Sequence, residues 1–307
     1  MSVLWGFIRN RWSAPPLESL SSSVISGKTV LVTGASAGLG LEAARHYAKL
    51  GAARLVLGVR SQKKGDEAKA EIEKSLTALG NGKRVSVQID IWILDLASYT
   101  SVQGFAKRVV NELDTLDIAV LNAAVTKSQF VLTKDGWEET LQVNTLSTLL
   151  LGLLLLPKLR ETTKNTPGWT SRLEFVASRA HQIVKEGDKW QTAPNFLDKL
   201  NQLESFGGSN YRYAVSKLLL IYGIREVTAI ADDTNGKPAV IVNYTCPGAC
   251  RSDLAREWHG WASSLILWLI QVTICKTAEE GSRTLVYASC LGEDSHGKWI
   301  HNDRIEE

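Results

Sequence analysis

The sequence predicts a single α/β domain, a doubly wound, mainly parallel sheet with helices on both faces. Short apolar runs rich in β-branched residues alternate with helical stretches of ten or more residues, which is the pattern of βαβ units. No second copy of this pattern and no linker interrupts the 307 residues. We therefore expect an N-terminal arm over residues 1–25 and one domain over residues 26–307.

The alternation of strands and helices runs from residue 28 to residue 244. The predicted strands are 28–33, 54–59, 85–94, 117–121, 173–176 and 239–244. The predicted helices are 39–50, 63–79, 98–113, 136–156 and 211–231. The fourth helix is expected to end at Pro157, because proline cannot continue a helix without losing a hydrogen bond. Residues 14–27, rich in Ser, Pro and Gly, are expected to form a loop.

Charge and cysteine content exclude several classes of protein. The net charge is only +3 and no long basic run is present, so no nucleic-acid partner is expected. The cysteines lack the spacing of a metal site, and no metal is expected; they are Cys246, Cys250, Cys275 and Cys290. Reduced thiols fit an intracellular protein, in the cytoplasm or peripheral on an intracellular membrane and not secreted.

The apolar segments do not predict a membrane span. Residues 1–12 lack the uninterrupted apolar stretch and cleavage site of a secretory signal. Their Trp5, Phe7, Ile8 and Trp12 predict a weak contact with a membrane surface, or else a frayed or packed arm. The stretches 146–156 and 265–274 are shorter than the roughly 20 residues that a span needs. Core packing explains both, and the second could also line a substrate pocket or touch a bilayer.

A glycine-rich turn follows the first predicted strand. Gly34, Gly38 and Gly40 would let the backbone turn tightly and approach a pyrophosphate at the positive end of the next helix. Ser36 and Leu39 belong to the same turn and are expected to contact the cofactor. An ordinary strand-to-helix turn is the alternative, but the position inside a βαβ unit favours a Rossmann-type dinucleotide site.

The residue that ends the second strand indicates which dinucleotide is bound. About 20 residues after the turn, NAD enzymes place Asp or Glu on the ribose 2′-hydroxyl. Here that position holds Arg60, with Lys63 and Lys64 close behind. A guanidinium can pair with a 2′-phosphate that a carboxylate would repel. The sequence therefore predicts NADP(H), with an ordinary surface arginine as the alternative.

Two further strands end in residues suited to the same cofactor. Asp95 and Leu96 follow the third strand, and Asn122 and Ala123 follow the fourth. Ligands of open α/β sheets bind at these carboxyl ends. Asp95 is expected near the adenine, and the small residues at 122–124 would let the chain run beside the cofactor.

Four polar residues form the candidate chemical group. Tyr213 and Lys217 are four residues apart, hence on one face of a helix. Ser178 follows the fifth strand, and Asn144 lies in an otherwise apolar helix where its amide needs hydrogen-bond partners. Each feature is common by chance, and only their combination is informative.

Taken in order, these motifs resemble the short-chain dehydrogenase/reductase family over about residues 26–291. The segments around Arg60 (VRSQKKG), around Ser178 (SRAH) and at 276–281 (KTAEEG) are most similar to its retinol-dehydrogenase-like and WW-domain-oxidoreductase-like branch. The sequence also resembles fungal members of that branch that are associated with secondary metabolism.

The resemblance implies a role for each residue of the group. Tyr213 would act as general acid or base, with Lys217 lowering its pKa and holding the nicotinamide ribose. Ser178 would polarise the substrate carbonyl, and Asn144 would anchor a proton-relaying water. The nicotinamide side would be bounded by Pro247, Gly248 and Ser252.

The sequence departs from the family pattern at the substrate side. Ala124 and Ala177 replace the usual glycine and serine, and 35 residues separate Ser178 from Tyr213, a long gap. The insert at 185–208 is expected to form a lid or pocket wall. Residues 252–276 form an apolar segment on the substrate side, which with Trp258 and Trp261 predicts a lipophilic, bulky alcohol or ketone.

The predicted function is an NADP(H)-dependent oxidoreductase that interconverts a carbonyl and an alcohol. The alternative is a non-redox use of the fold, as an NADP(H)-bound cyclase, isomerase or scaffold. The family resemblance also implies a homodimer through the helices that carry Asn144 and Tyr213, although monomers occur in the same branch.

Overall fold

A computed structural model describes residues 14–77, 86–251, 275–301 and 304–306 of the chain, and these residues contain one eight-stranded sheet. The strands are β1 (Thr29–Thr33), β2 (Arg54–Val59), β3 (Gln88–Ile93), β4 (Ile118–Leu121), β5 (Ser171–Val176), β6 (Val240–Cys246), β7 (Trp299–His301) and β8 (Arg304–Glu306). Their spatial order is β3-β2-β1-β4-β5-β6-β7-β8. Neighbouring strands are parallel except for the antiparallel pair of β7 and β8. The doubly wound, mainly parallel sheet is thus confirmed.

Helices connect the strands and cover both faces of the sheet. They are α1 (Gly38–Lys49), α2 (Gln62–Thr77), α3 (Tyr99–Glu112), α4 (Glu139–Asn165), α5 (Phe196–Leu200), α6 (Ser209–Ala231) and α7 (Ala278–Cys290). A π-helical turn, Gln142–Leu146, lies inside α4. The predicted N-terminal loop instead contains two short helical turns, Leu17–Ser19 and Ser22–Ile25.

The core consists of two apolar layers, one on each face of the sheet. Alternate residues of a strand point to opposite faces, so Val30 and Val32 join the layer that contains α1, α2 and α7, whereas Leu31 joins the layer of α3, α4 and α6. Strands buried on both faces are the rule for parallel sheets. Leu20 and Ile25, at the end of the N-terminal arm, are buried in the first layer.

The predicted end of α4 at Pro157 is wrong. The helix continues through the proline to Asn165. A proline inside a helix costs about 3 kcal/mol, because a backbone hydrogen bond is lost and the ring crowds the previous turn. The apolar face continues across the proline with Leu155, Leu156 and Leu159 all at most 2% exposed. Burial of that face offsets the cost.

One helix of the described chain, α4, is long and apolar enough to cross a membrane by length and composition alone. Its most apolar window has a mean hydropathy of 1.5, and 67% of that window is buried inside the fold. Buried core helices of water-soluble proteins have the same character. The membrane contact predicted for residues 1–12 and the apolar stretch 252–274 lie outside the described residues.

Candidate active site

The glycine-rich turn joins the end of β1 to the start of α1. Gly34 and Gly38 adopt φ values of +68° and +57°, a region that side-chain-bearing residues rarely occupy. The N-cap residue of α1, Ala37, supplies no side-chain acceptor for the first helical N–H groups. Those donors and the helix dipole provide the site that a pyrophosphate requires.

Gly40 and Asn122 bring the turn against the end of β4. A Cβ on Gly40 would lie 2.5 Å from the Gly34 carbonyl oxygen and 2.6 Å from Asn122 Nδ2. Asn122 Nδ2 donates to the Thr33 carbonyl at 2.9 Å, and the Ala123 N–H donates to Thr33 Oγ1 at 3.0 Å. Only glycine fits at position 40, and Asn122 has a structural task in shaping the turn.

The end of β2 supplies exposed positive charge. Arg60 and Lys64 are both exposed and line a cavity together with Ser36 and Ser61. Asp95 is the only acidic side chain among the described residues that line it. Sequence reasoning missed Ser61, although its place next to Arg60 at a strand end was the available signal.

This cavity, of about 780 Å³, extends along the carboxyl ends of the strands. The predicted site residues that line it are Gly34, Ser36, Gly38, Leu39, Arg60, Lys64, Asp95, Leu96, Asn122, Ala123, Ser178, Tyr213, Lys217, Pro247 and Gly248. Gly40 and Asn144 lie outside that lining. Ser252 falls outside the described residues. Lining residues that were not predicted include Thr126, Lys127, Cys246 and Cys250, all at or shortly after strand ends.

Ser178 and Tyr213 meet at one side of this cavity. Ser178 caps a short 3-10 helix, where its Oγ accepts from the Ala180 N–H at 3.2 Å. The phenol of Tyr213 is hydrogen-bonded to Ser178. Burial raises the pKa of Tyr213 to about 12, and the Ser178 hydrogen bond opposes that rise only in part. Tyr213 is therefore protonated at neutral pH.

Lys217 lies near Tyr213, and the lowering of the Tyr213 pKa that the family resemblance implies for it stays a prediction. Its Nζ lies 5.8 Å from the centre of the Tyr213 ring and donates to the Val176 carbonyl oxygen at 2.8 Å. Burial lowers the pKa of Lys217 itself to about 8. Burial is the largest cause of both pKa shifts, and a sequence pattern does not reveal it.

Asn144 acts behind the cavity rather than in its lining. The side chain is fully buried in the π-helical turn of α4. Its Oδ1 accepts from the Val125 N–H at 2.8 Å, and its Nδ2 donates to the Val125 carbonyl at 2.8 Å and to Ser216 Oγ at 3.0 Å. Ser216 Oγ donates to the Tyr213 carbonyl at 2.7 Å. Asn144 thus positions the Tyr213 helix, and its expected water contact stays a prediction.

The insert at 185–208 is held against the outside of α4 and α6. Trp190 Nε1 donates to the Tyr211 hydroxyl at 2.9 Å, and the Glu138 N–H donates to Asn201 Oδ1 at 2.7 Å. Arg212 donates to the carbonyl of Ser205 at 2.8 Å. None of the described cavity-lining residues belongs to the insert. A contact of the insert with a substrate stays a prediction.

Known proteins are similar in sequence to nearly the whole chain. A family model described as short chain dehydrogenase matches residues 28–167. Short-chain dehydrogenase/reductase phmF of Phaeosphaeria nodorum is 40% identical over 292 residues, covering 95% of this chain and 82% of that protein. Short-chain dehydrogenase/reductase ffsI of Aspergillus flavipes is 40% identical over 311 residues, covering 99% and 84%.

Solved structures share the fold at lower identity. A short chain dehydrogenase from Shigella flexneri, solved in complex with NADP, is 21% identical and superposes with a TM-score of 0.61, covering 93% of this chain and 99% of that one. This similarity supports the fold alone, whereas the sequence identity with the fungal relatives shows the family. The chain therefore belongs to the short-chain dehydrogenase/reductase family and is an NAD(P)-dependent oxidoreductase.

Proposed function

We propose that this protein is an NADP(H)-dependent oxidoreductase that interconverts a carbonyl and an alcohol on a lipophilic small molecule, with Tyr213 as general acid or base. One observation carries the proposal. A single cavity contains the glycine-rich turn and Arg60 on one side and Ser178, Tyr213 and Lys217 on the other. A dinucleotide needs the first group, and a proton transfer needs the second.

NADP(H) is favoured over NAD(H) by the charges around the end of β2. Arg60 and Lys64 are exposed toward the cavity, and the hydroxyls of Ser36 and Ser61 lie in the same lining. These groups suit a 2′-phosphate, and among the described residues that line the cavity there, none is a carboxylate that would repel it. Asp95, at the end of β3, would serve the adenine. The NADP complex of the Shigella flexneri protein is in keeping with this choice.

The side chains at the other end suit carbonyl reduction. The residues of the glycine-rich turn and Arg60 would hold the dinucleotide, whose chemistry when bound would be hydride transfer in either direction. Tyr213, protonated at neutral pH, would donate its phenolic proton to the carbonyl oxygen as charge develops there. Ser178 would hold that oxygen, since its Oγ already contacts the phenol. The Lys217 ammonium, anchored on the Val176 carbonyl, would hold the nicotinamide ribose and favour negative charge nearby.

The substrate class follows from the apolar surface near these groups. Val125, Val143, Val176 and Ala177 line the cavity, and apolar walls with few polar groups are typical of sites for lipophilic ligands. The curated relatives named above are fungal. We extend the proposal to an intermediate of secondary metabolism on that ground.

NADPH absorbance tests the proposal directly. Purified protein is given NADPH and a panel of lipophilic aldehydes and ketones, with NADH in parallel. We expect turnover with NADPH that is lost in Tyr213→Phe. Turnover that prefers NADH would overturn the cofactor choice and keep the oxidoreductase. Product formation that survives in Tyr213→Phe would overturn the role of the tyrosine. No specific observation favours the non-redox alternative.

Two further expectations concern the state of the protein in the cell. We propose a homodimer through α4 and α6, because both helices carry exposed apolar side chains, Leu153 on the first and Tyr222 and Ile230 on the second. Light scattering would then give twice the mass of one chain.

Four free cysteines support an intracellular location, cytoplasmic or peripheral on a membrane. Cell fractionation tests this.

A further inference from the structure

Lys276 is a fully buried lysine with no role in the chemistry described above. It lies just before α7 and pairs with the loop that follows β6. Its Nζ donates to the Pro247 carbonyl oxygen at 3.3 Å, and its backbone N–H donates to the Ala249 carbonyl at 2.9 Å. Its own carbonyl accepts from the Arg251 N–H at 2.9 Å. Three hydrogen bonds thus join one residue to the nicotinamide-side loop.

The first turn of α7 packs against the same loop and against the glycine-rich turn. A Cβ on Gly281 would lie 2.3 Å from Cys250 Sγ and 2.8 Å from Leu39 Cδ2. A reciprocal capping box between Thr277 and Glu280 sets where the helix begins. The segment from 276 to 281 therefore contacts two parts of the cofactor cavity at once.

These contacts determine which backbone groups of the loop face the cavity. Gly248 has a φ of +80°, and Pro247, Gly248, Ala249 and Cys250 all line the cavity. The carbonyls of Pro247 and Ala249 are turned toward Lys276. Within the described chain, the N–H groups of Ala249 and Cys250 have no protein acceptor. They are free to bind a polar group of a ligand.

We propose that Lys276 is a positioning residue for the nicotinamide half of the cofactor, acting through the Pro247–Cys250 backbone. The proposal rests on the proposed NADP(H) site and adds to it a residue that never touches the reacting atoms. Lys276 keeps the carbonyls of Pro247 and Ala249 turned toward itself, so that the N–H groups of Ala249 and Cys250 remain available to a ligand in the cavity. The adenine half, bound at the opposite end, does not depend on this loop.

The surroundings of the Lys276 ammonium favour a positioning role over a purely structural one. Burying a charge is costly, and an apolar side chain of similar volume is often equally stable. The groups near Lys276 include the thiols of Cys246 and Cys250 and the imidazole of His301. Methionine at position 276 would lack the directed hydrogen bond to the Pro247 carbonyl but would retain the packing of the side chain. This separates positioning from folding.

Binding of two ligands tests the proposal by calorimetry. NADPH has both halves of the dinucleotide, whereas adenosine 2′,5′-bisphosphate has the adenine half with its 2′-phosphate. In Lys276→Met we expect the Kd for NADPH to rise about tenfold or more, as for the loss of a charged hydrogen bond. The Kd for the bisphosphate should stay within about twofold, and Lys276→Arg should recover part of the NADPH affinity.

Lys158→Met is the matched control. Lys158 is also nearly buried, at 5% exposure, but it pairs with Glu161 on α4 and lies outside the cavity lining. This variant should bind both ligands as the wild type does. Unchanged NADPH affinity in Lys276→Met would overturn the proposal, and so would an equal loss for both ligands, which would indicate a folding role. Wild-type protein that binds neither ligand would instead refute the proposed NADP(H) site, and the positioning role with it.

Discussion

The two ends of the cavity hold charge in opposite ways. At the β2 end, Arg60 and Lys64 are exposed to solvent. At the β5 end, Lys217 is only 3% exposed and fixed on a backbone carbonyl, and burial shifts its pKa and that of Tyr213. The same cavity thus has a solvated cationic end and a desolvated chemical end.

Under the proposed function, the cationic end and the chemical end have different roles. Exposed charges attract an anion over a distance and contribute affinity that salt can screen. Desolvated groups interact strongly over short distances, and their protonation state depends on what else is bound. Mutations at the first end should therefore change which cofactor binds, whereas mutations at the second should change the rate and its pH dependence.

The largest effect should come from the chemical end. Tyr213→Phe removes the proton donor but keeps the ring, so kcat should fall about 10³-fold, in the range of general acid catalysis. Calorimetry should give a Kd for NADPH close to that of the wild type. The measurement is the initial rate of NADPH oxidation with the best carbonyl substrate of the panel.

Tyr211→Phe is the control for this change. Tyr211 lies two residues away on the same helix, but its hydroxyl bonds to Trp190 and Asp188 of the insert. It does not line the cavity. We expect a kcat within a few-fold of the wild type. Equal losses of kcat in the two variants would show that a disturbance of the helix, and not the loss of the Tyr213 hydroxyl, lowers the rate.

An intermediate effect is expected at the cationic end. Arg60→Ala should raise the Kd for NADPH about 10- to 100-fold, the loss of one charge-assisted pair, and leave the Kd for NADH almost unchanged. Fluorescence titration with both cofactors measures the change. Lys63→Ala is the control, because Lys63 is exposed nearby but does not line the cavity. A parallel loss for NADH would contradict contact of Arg60 with a 2′-phosphate.

The smallest effect should be a pH dependence of cofactor affinity. The pKa of Lys217 is lowered to about 8, so its ammonium is present below that pH and lost above it. A cofactor that contacts the ammonium favours the charged form. Affinity for NADPH should therefore be highest below pH 8 and fall about three- to tenfold by pH 9.5. The same titration of Lys217→Met should be flat in this range, and a flat wild-type profile would separate Lys217 from cofactor binding.

Most of the cofactor end could be predicted from the sequence because it depends on backbone geometry. Glycines at fixed spacing after a β-branched run require one particular turn, and Arg60 follows at a set distance along the chain. The structure places these residues around one cavity. Local sequence is sufficient there because each residue acts close to its own strand end.

The sequence predicted which residues lie at the chemical end but not how burial changes their pKa values. Ser178, Tyr213 and Lys217 line the same cavity as expected, whereas burial raises the pKa of Tyr213 and opposes the fall that the family resemblance implies. Burial is a tertiary property, and the spacing of Tyr213 and Lys217 does not contain it. The contacts of Asn144 with Val125 and Ser216 likewise depend on how α4 meets α6.

The C-terminal elements were not predicted, for different reasons. β7 and β8 have three residues each, too few for a recognisable alternation. α7 had a usable signal, the capping pair of Thr277 and Glu280 ahead of a helical stretch. Only the packing of Gly281 against Leu39 and Cys250 shows that α7 lies beside the cavity.

The contact between Asn122 and the glycine-rich turn has a consequence for the order in which the protein acquires its activity. The turn is synthesised early, but its partner residue follows 89 positions later, and Gly281 completes the contact with Leu39 near the C-terminus. A nascent chain that has only its first βαβ unit lacks these supports. Since such long-range contacts form slowly, the ability to bind cofactor should appear only after Gly281 has been synthesised, and cofactor binding then reports that the segments around Leu39, Asn122 and Gly281 have folded together.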